Sequence, residues 1–161
     1  MKHRATFFLL ALCYIMNVNA RILHRHRHHR KLQRGYQRGV PAMGFNFNGG
    51  CNWSIICQTP HGKIPGIMKS NRQMSYTFRG SEHHCPFAQK FISGKLIAWD
   101  IKGSYSCKPQ GFDKGMGPLY AALIVTPFGH FPGKASKARR MAWYSMNKME
   151  KSTRSNFYYI C

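Results

Sequence analysis

The stretch KIPGIMKSNRQM, residues 63–74, decides the fold class. Pro65 suits the first turn of a helix, where the missing N–H has no partner to lose. Gly66 weighs against a helix interior. Read as a short helix, this stretch stands alone among strands. NWSIIC (52–57) is an apolar run ending on Cys57, and QTPHG after it turns the chain. SYTFRG (75–80) reads as a strand. In KLIAWDIKG (95–103), Leu96, Ala98 and Asp100 alternate with Ile97, Trp99 and Ile101, which is the period of a strand. PLYAALIVTPFG (118–129) holds a continuous apolar run stopped by Pro127 and Gly129, as expected of a central strand. HFPGKASKARR (130–140) reads as a basic loop. RMAWYSMNKM (140–149) fits either a strand or a helix capped by Ser136. SNFYYIC (155–161) closes as a strand. One short helix followed by several strands predicts an α+β domain, the helix packed on an antiparallel sheet.

The N-terminus points to export. Lys2, His3 and Arg4 precede an apolar run, Ala5 to Ile15, too short to span a bilayer. Val18 and Ala20 are small residues at −3 and −1 of a cleavage site. Residues 1–20 therefore read as a secretory signal peptide. Residues 21–50 are poor in core material and read as a flexible basic arm and linker. Residues 51–161 form one small globular domain. On an oxidising route cysteines pair. Cys13 leaves with the signal, so Cys51, Cys57, Cys85, Cys107 and Cys161 remain. That number is odd, so one is free or pairs between chains, and spacing does not settle the connectivity.

Charge is the strongest compositional feature. The chain has 25 Lys+Arg against four acids, Glu82, Asp100, Asp113 and Glu150, for a net charge of +21. Such an imbalance repels itself and seeks anions: nucleic acid, anionic membrane or acidic protein. The aromatic content, 14%, separates it from a disordered basic tail. The arm carries His24, His26, His28 and His29. Clustered imidazoles bind zinc, copper or nickel. No carboxylate or thiolate stands near to complete a defined site, so a cationic arm whose histidines charge below pH ~6.5 is the better reading. No zinc-hydrolase, phosphate-loop or nucleophile-elbow spacing occurs, and no cofactor is implied. Glu82-His83-His84 is the one local acid–base group. Beside Cys85 and Pro86 it reads more simply as a loop with two exposed histidines.

The order of these features resembles the small secreted guanyl-specific ribonucleases of fungi, and more closely the RNase-like secreted effectors of powdery mildew fungi. IIC (55–57) followed by KIPGIM fits their opening strand and helix. AWDI (98–101) lies where they carry a Glu-Trp-Pro strand. GMGPLYAALIV (115–125) resembles their glycine-rich turn and Arg-bearing strand. MAWYSM and SNFYYIC resemble their last two strands. The resemblance implies a disulfide-stapled, ribonuclease-like α+β domain, with Cys57 bridged to Cys161 and Cys85 and Cys107 left as a second pair. It also implies lost chemistry. The glutamate position holds Ala98, the arginine position falls at Tyr120, and no histidine lies at Trp143 to Ser145. Only His83 or His84 is left to stand for a catalytic histidine. Without a base, an acid and an arginine, phosphoryl transfer loses its main sources of rate.

The resulting expectation is a secreted fungal effector that is not an enzyme. Its partners would be host RNA or ribonucleoprotein, or a host defence protein, met outside or inside plant cells. Phosphates would meet lysines and arginines, and bases would stack on aromatic rings. The candidate RNA-binding residues are Arg139, Arg140, Trp143, Tyr144, Lys95 and Lys102. Trp99, inside a predicted strand, reads as core. Two other functions compete. One is a cationic antimicrobial or membrane-active protein, which lacks a clear amphipathic helix. The other is an active ribonuclease working through Glu82 and His84.

Overall fold

The computed structural model describes residues 43–45 and 50–161, with no side chains described for 43–45 or Gln89. Thirteen strands form one antiparallel sheet: β1 (Met43–Phe45), β2 (Cys51–Thr59), β3 (Gly62–Lys69), β4 (Met74–Phe78), β5 (Ser81–His84), β6 (Phe87–Phe91), β7 (Leu96–Ala98), β8 (Gly111–Asp113), β9 (Gly117–Thr126), β10 (Gly129–Ser136), β11 (Met141–Met146), β12 (Met149–Thr153) and β13 (Phe157–Ile160). One 3-10 turn, Lys102–Ser106, is the only helical element among the described residues. Pairing runs β3–β4–β5–β12–β11–β10–β9–β8 and returns to β3. The sheet thus closes into an eight-stranded β-barrel, which leaves no open edge along that circuit.

The predicted α+β class is therefore wrong, and residues 63–74 are where it fails. Residues 62–69 are β3, paired along their length with β2. Pro65 lies on the other edge of β3, between Gly62–Lys63, which pair with β8, and Ile67–Met68, which pair with β4. At that gap no ladder bond is lost, so proline is tolerated. Gly66 passes so close to β4 that a Cβ would stand 2.4 Å from the Ser75 carbonyl oxygen. The Pro-Gly pair therefore marks a crowded crossing of strands. Residues 130–140, read as a loop, are mostly β10, with its own Pro132 just outside the Gly133–Ser136 stretch paired to β11. The strand expected over 95–103 stops at Ala98 and gives way to the 3-10 turn. Strands β2, β4, β9, β11 and β13 lie where strands were expected or allowed.

A repeat organises the barrel. T-P-x-G-x-x-P-G occurs at 59–66 and again at 126–133, and a Gly-Phe pair occurs at 44–45 and 111–112. The two turns share their hydrogen bonds. Thr59 Oγ1 donates to Gly62 O at 2.9 Å and accepts from His61 N at 3.1 Å; Thr126 Oγ1 donates to Gly129 O at 2.9 Å and accepts from Phe128 N at 3.1 Å. Gly62 and Gly129 have φ of 133° and 132°, open only to glycine. A Cβ on Gly133 would stand 2.1 Å from Trp143 O, as one on Gly66 would crowd Ser75 O.

The topology repeats with the sequence. In the first half, β2 to β5 form a meander and β6 returns to pair with β2. In the second, β9 to β12 form the same meander and β13 returns to pair with β9. Strand β1 stands to β2 as β8 stands to β9. The halves meet where Ser81 pairs with Met149. There Glu82 N donates to Lys148 O at 3.1 Å and Glu150 N donates to Gly80 O at 3.0 Å. The two bonds exchange equivalent residues, the signature of a two-fold relation.

Two disulfides join the described segments, and neither is the bridge implied by the resemblance. Cys57 pairs with Cys85 and Cys107 pairs with Cys161. No described cysteine, Cys51 included, is free. The chain end is still held: Cys161 N donates to Lys95 O at 2.9 Å and Lys95 N to Cys161 O at 2.8 Å. The Cys107–Cys161 loop contributes about 4 kcal/mol by loop-closure entropy.

Candidate functional site

Three of the four carboxylates are taken up inside the molecule. Asp113 is buried, and its Oδ1 accepts from Gly115 N at 2.6 Å and Met116 N at 2.9 Å, closing the turn from β8 into β9. Glu150 Oε1 lies 2.9 Å from Lys134 Nζ, and its Oε2 accepts from Gly80 N at 2.8 Å. Glu82 Oε1 lies 2.7 Å from Lys69 Nζ and accepts from Ser75 Oγ at 2.5 Å. Asp100 alone is exposed.

The strand register explains the two ion pairs. Glu82 and Glu150 are the second residues of β5 and β12, each just past a tight two-residue turn. Those turns, Arg79-Gly80 and Asn147-Lys148, have positive φ throughout, as hairpin turns of this length prefer. Lys134 is opposite Trp143, and Ser145 is opposite Glu150, so alternation puts all four on one face. Lys134 is 1% exposed. Its Nζ also donates to Thr77 O at 2.5 Å and stands 5.9 Å from the Phe78 ring and 5.8 Å from the Trp143 ring. Burial pulls its pKa down, against the pull of Glu150 and Asp113. For Glu82, burial pushes the pKa up. Hydrogen bonds from Lys69, Ser75 and Ser145, with the Lys69 charge, outweigh it and hold the carboxyl below its usual value.

Around Glu82 the surface opens into two adjoining clefts. One, of about 590 Å³, is lined by Asn52, Asn71, Ser145 and Asn147 with Phe128 and Phe131. The other, of about 250 Å³, is lined by Gln73, Ser75, His83 and His84. Lys69, Glu82 and Lys148 border both. The larger cleft is within the size range of small-molecule sites. The clefts are bordered by the Lys148 ammonium and by that of Lys69, which is already paired with Glu82, with side-chain amides and a 58% exposed ring at Phe128. This setting suits an anion with a flat or apolar part. It suits acid–base chemistry poorly, because the Lys69, Ser75 and Ser145 contacts hold Glu82 ionised, which denies it a proton to give, and below its usual pKa, which makes it a weak base. His83 is engaged by the Phe78 carbonyl, 3.1 Å from its Nε2, and stacks on Tyr76.

The candidates read from sequence do not gather here. Arg139 and Arg140 are exposed at the β10–β11 turn. Trp143 and Tyr144, adjacent on β11, point to opposite faces. Trp143 covers Lys134, and Tyr144 packs on Phe131 with ring centroids 5.4 Å apart. Lys95 and Lys102 are exposed beside β7, apart from that turn in the chain. Trp99 is half-buried and stacks on Phe157 at 5.8 Å. Sequence reasoning missed Lys69, Lys148 and the Lys134–Glu150 pair. The shared position of Glu82 and Glu150 after matching turns was the available signal. His24, His26, His28 and His29 lie outside the described residues. Among the described residues no three metal-ligating side chains gather.

The ribonuclease-like identity is overturned with the fold. A barrel without an α-helix among its described residues, stapled Cys57–Cys85 and Cys107–Cys161, is not the helix-on-sheet domain which that family implies, and the effector role inferred from it falls too. No family model matches the chain, and no curated protein matches it either.

Proposed function

We propose that this protein is a binder of polyanions rather than an enzyme, and that it takes nucleic acid across the Lys69–Lys148 clefts. The observation that carries this is the internal use of Glu82, Asp113 and Glu150. With those acids already engaged, a chain of net charge +21 carries far more cations than its own carboxylates can pair. Nucleic acid is favoured over other polyanions because it brings phosphates for the lysines and flat bases for exposed rings such as Phe128. The two disulfides fit the exported route inferred from residues 1–20.

Gel-shift titration of single-stranded RNA over a range of salt tests this. Binding should weaken steeply as salt rises. In Lys69→Ala/Lys148→Ala the slope of log affinity against log salt should flatten by roughly 0.7 for each lysine that faces a phosphate. No shift at low salt rejects the proposal. Leakage of anionic vesicles without RNA binding would transfer the function to membranes.

A further inference from the structure

Among the described residues, the two halves treat equivalent edges differently. In the second half β13 pairs with β9 on one side and with β7 on the other, Ile160 opposite Leu96, Tyr159 opposite Ile97 and Tyr158 opposite Ala98. In the first half β6 holds the place of β13 and pairs with β2. Among the described residues no strand covers its outer edge. Ile92 N donates to Ser54 O at 2.9 Å, so alternation along the strand turns the Phe91 N–H away from β2. The side chains agree: Phe87 is 63% exposed and Phe91 44%, whereas Tyr159, at the position matching Phe91, is 3% exposed. An uncovered strand edge flanked by apolar rings is a template for an added strand.

We propose that the outer edge of β6 is a docking site for an extended, acidic segment of a partner protein, added as an antiparallel strand. The orientation follows from β7, which covers the matching edge antiparallel. The apolar character of the guest follows from Phe87 and Phe91, and its acidity from the exposed Lys90 on β6 and the net charge of the whole chain. A second copy of a chain carrying +21 repels its twin and is a poor occupant. This site is independent of the clefts.

The probe is a labelled peptide carrying the β7 residues Leu-Ile-Ala between flanking aspartates, with a lysine-flanked version as control, added to the full chain. Fluorescence polarisation and amide hydrogen exchange give the readouts. The aspartate peptide should bind at least tenfold tighter than the lysine peptide and slow exchange of the Phe91 amide. Phe91→Pro, which removes both the outward N–H and the exposed ring, should weaken binding at least tenfold. Should that variant not fold, Lys90→Glu should abolish the preference for aspartate. Three results overturn the proposal: no binding of the aspartate peptide, binding that leaves Phe91 exchange unchanged, or a peptide-free dimer that already protects Phe91.

Discussion

The two halves of the barrel use the same strand order and the same turn, yet they pair their glutamates with lysines in opposite settings. The Glu82 and Glu150 side chains are 9% and 10% exposed. Their lysines differ. Lys69 is 36% exposed at the mouth of two clefts, while Lys134 is 1% exposed beneath Phe78 and Trp143. One half encloses its charge pair as part of the core. The other leaves it at the surface, within reach of a ligand. Burial of the cation thus separates an enclosed pair from one that stays open to solvent.

The largest effect should come from the enclosed pair. Lys134→Ala leaves Glu150 buried beside a void, and urea unfolding should show a loss of about 3–5 kcal/mol. Lys134→Met combined with Glu150→Gln should recover much of it, since neither residue then carries an uncompensated charge. The repeat itself predicts the next effect. Gly66→Ala and Gly133→Ala each drive a Cβ into a neighbouring carbonyl oxygen, so each should cost about 1–3 kcal/mol. A large loss at only one of the two would break the equivalence of the halves. The open pair should respond least. Lys69→Ala should cost about 1 kcal/mol or less, because Ser75 still donates to Glu82 and water reaches the clefts. Its signature is pH. A depressed carboxyl pKa adds stability above the unfolded value of 4.5, lost as pH falls through the lower folded value. In Lys69→Ala that acid loss should begin at higher pH, which thermal melts at a series of acid pH values will show.

Strands with a simple apolar pattern were legible. PLYAALIV and FYYI are β9 and β13 as their composition suggests. Strands β3 and β10 were hidden because each carries Pro-Gly, which marks a helix start or a loop in isolation. Only the neighbouring strands show that Pro65 and Pro132 fall at gaps in pairing and that Gly66 and Gly133 are crossings. Aligning residues 59–66 with 126–133 would have linked them, since a motif that is half inside a legible strand such as β9 makes its twin a strand as well. The disulfides were not legible, because three-dimensional proximity of Cys57 to Cys85 follows from β6 returning to β2. The site was not legible either. Lys69 and Lys148 are far apart in the chain and share the cleft borders through the turns after β3 and β11.

The seam between β5 and β12 has a consequence for how molecules can associate. It joins Gly80, Ser81 and Glu82 to Lys148, Met149 and Glu150 through reciprocal bonds, so one chain contains what a homodimer normally makes from two. An exchange of halves between two chains would satisfy every one of those bonds without creating a new contact. Only the connection from β6 to β7 would have to span a different path, because β7 and the Cys107–Cys161 bridge both belong with β13. The self-repulsion of a chain carrying +21 works against such an exchanged pair, so each chain keeps its own second half and the seam closes within one molecule.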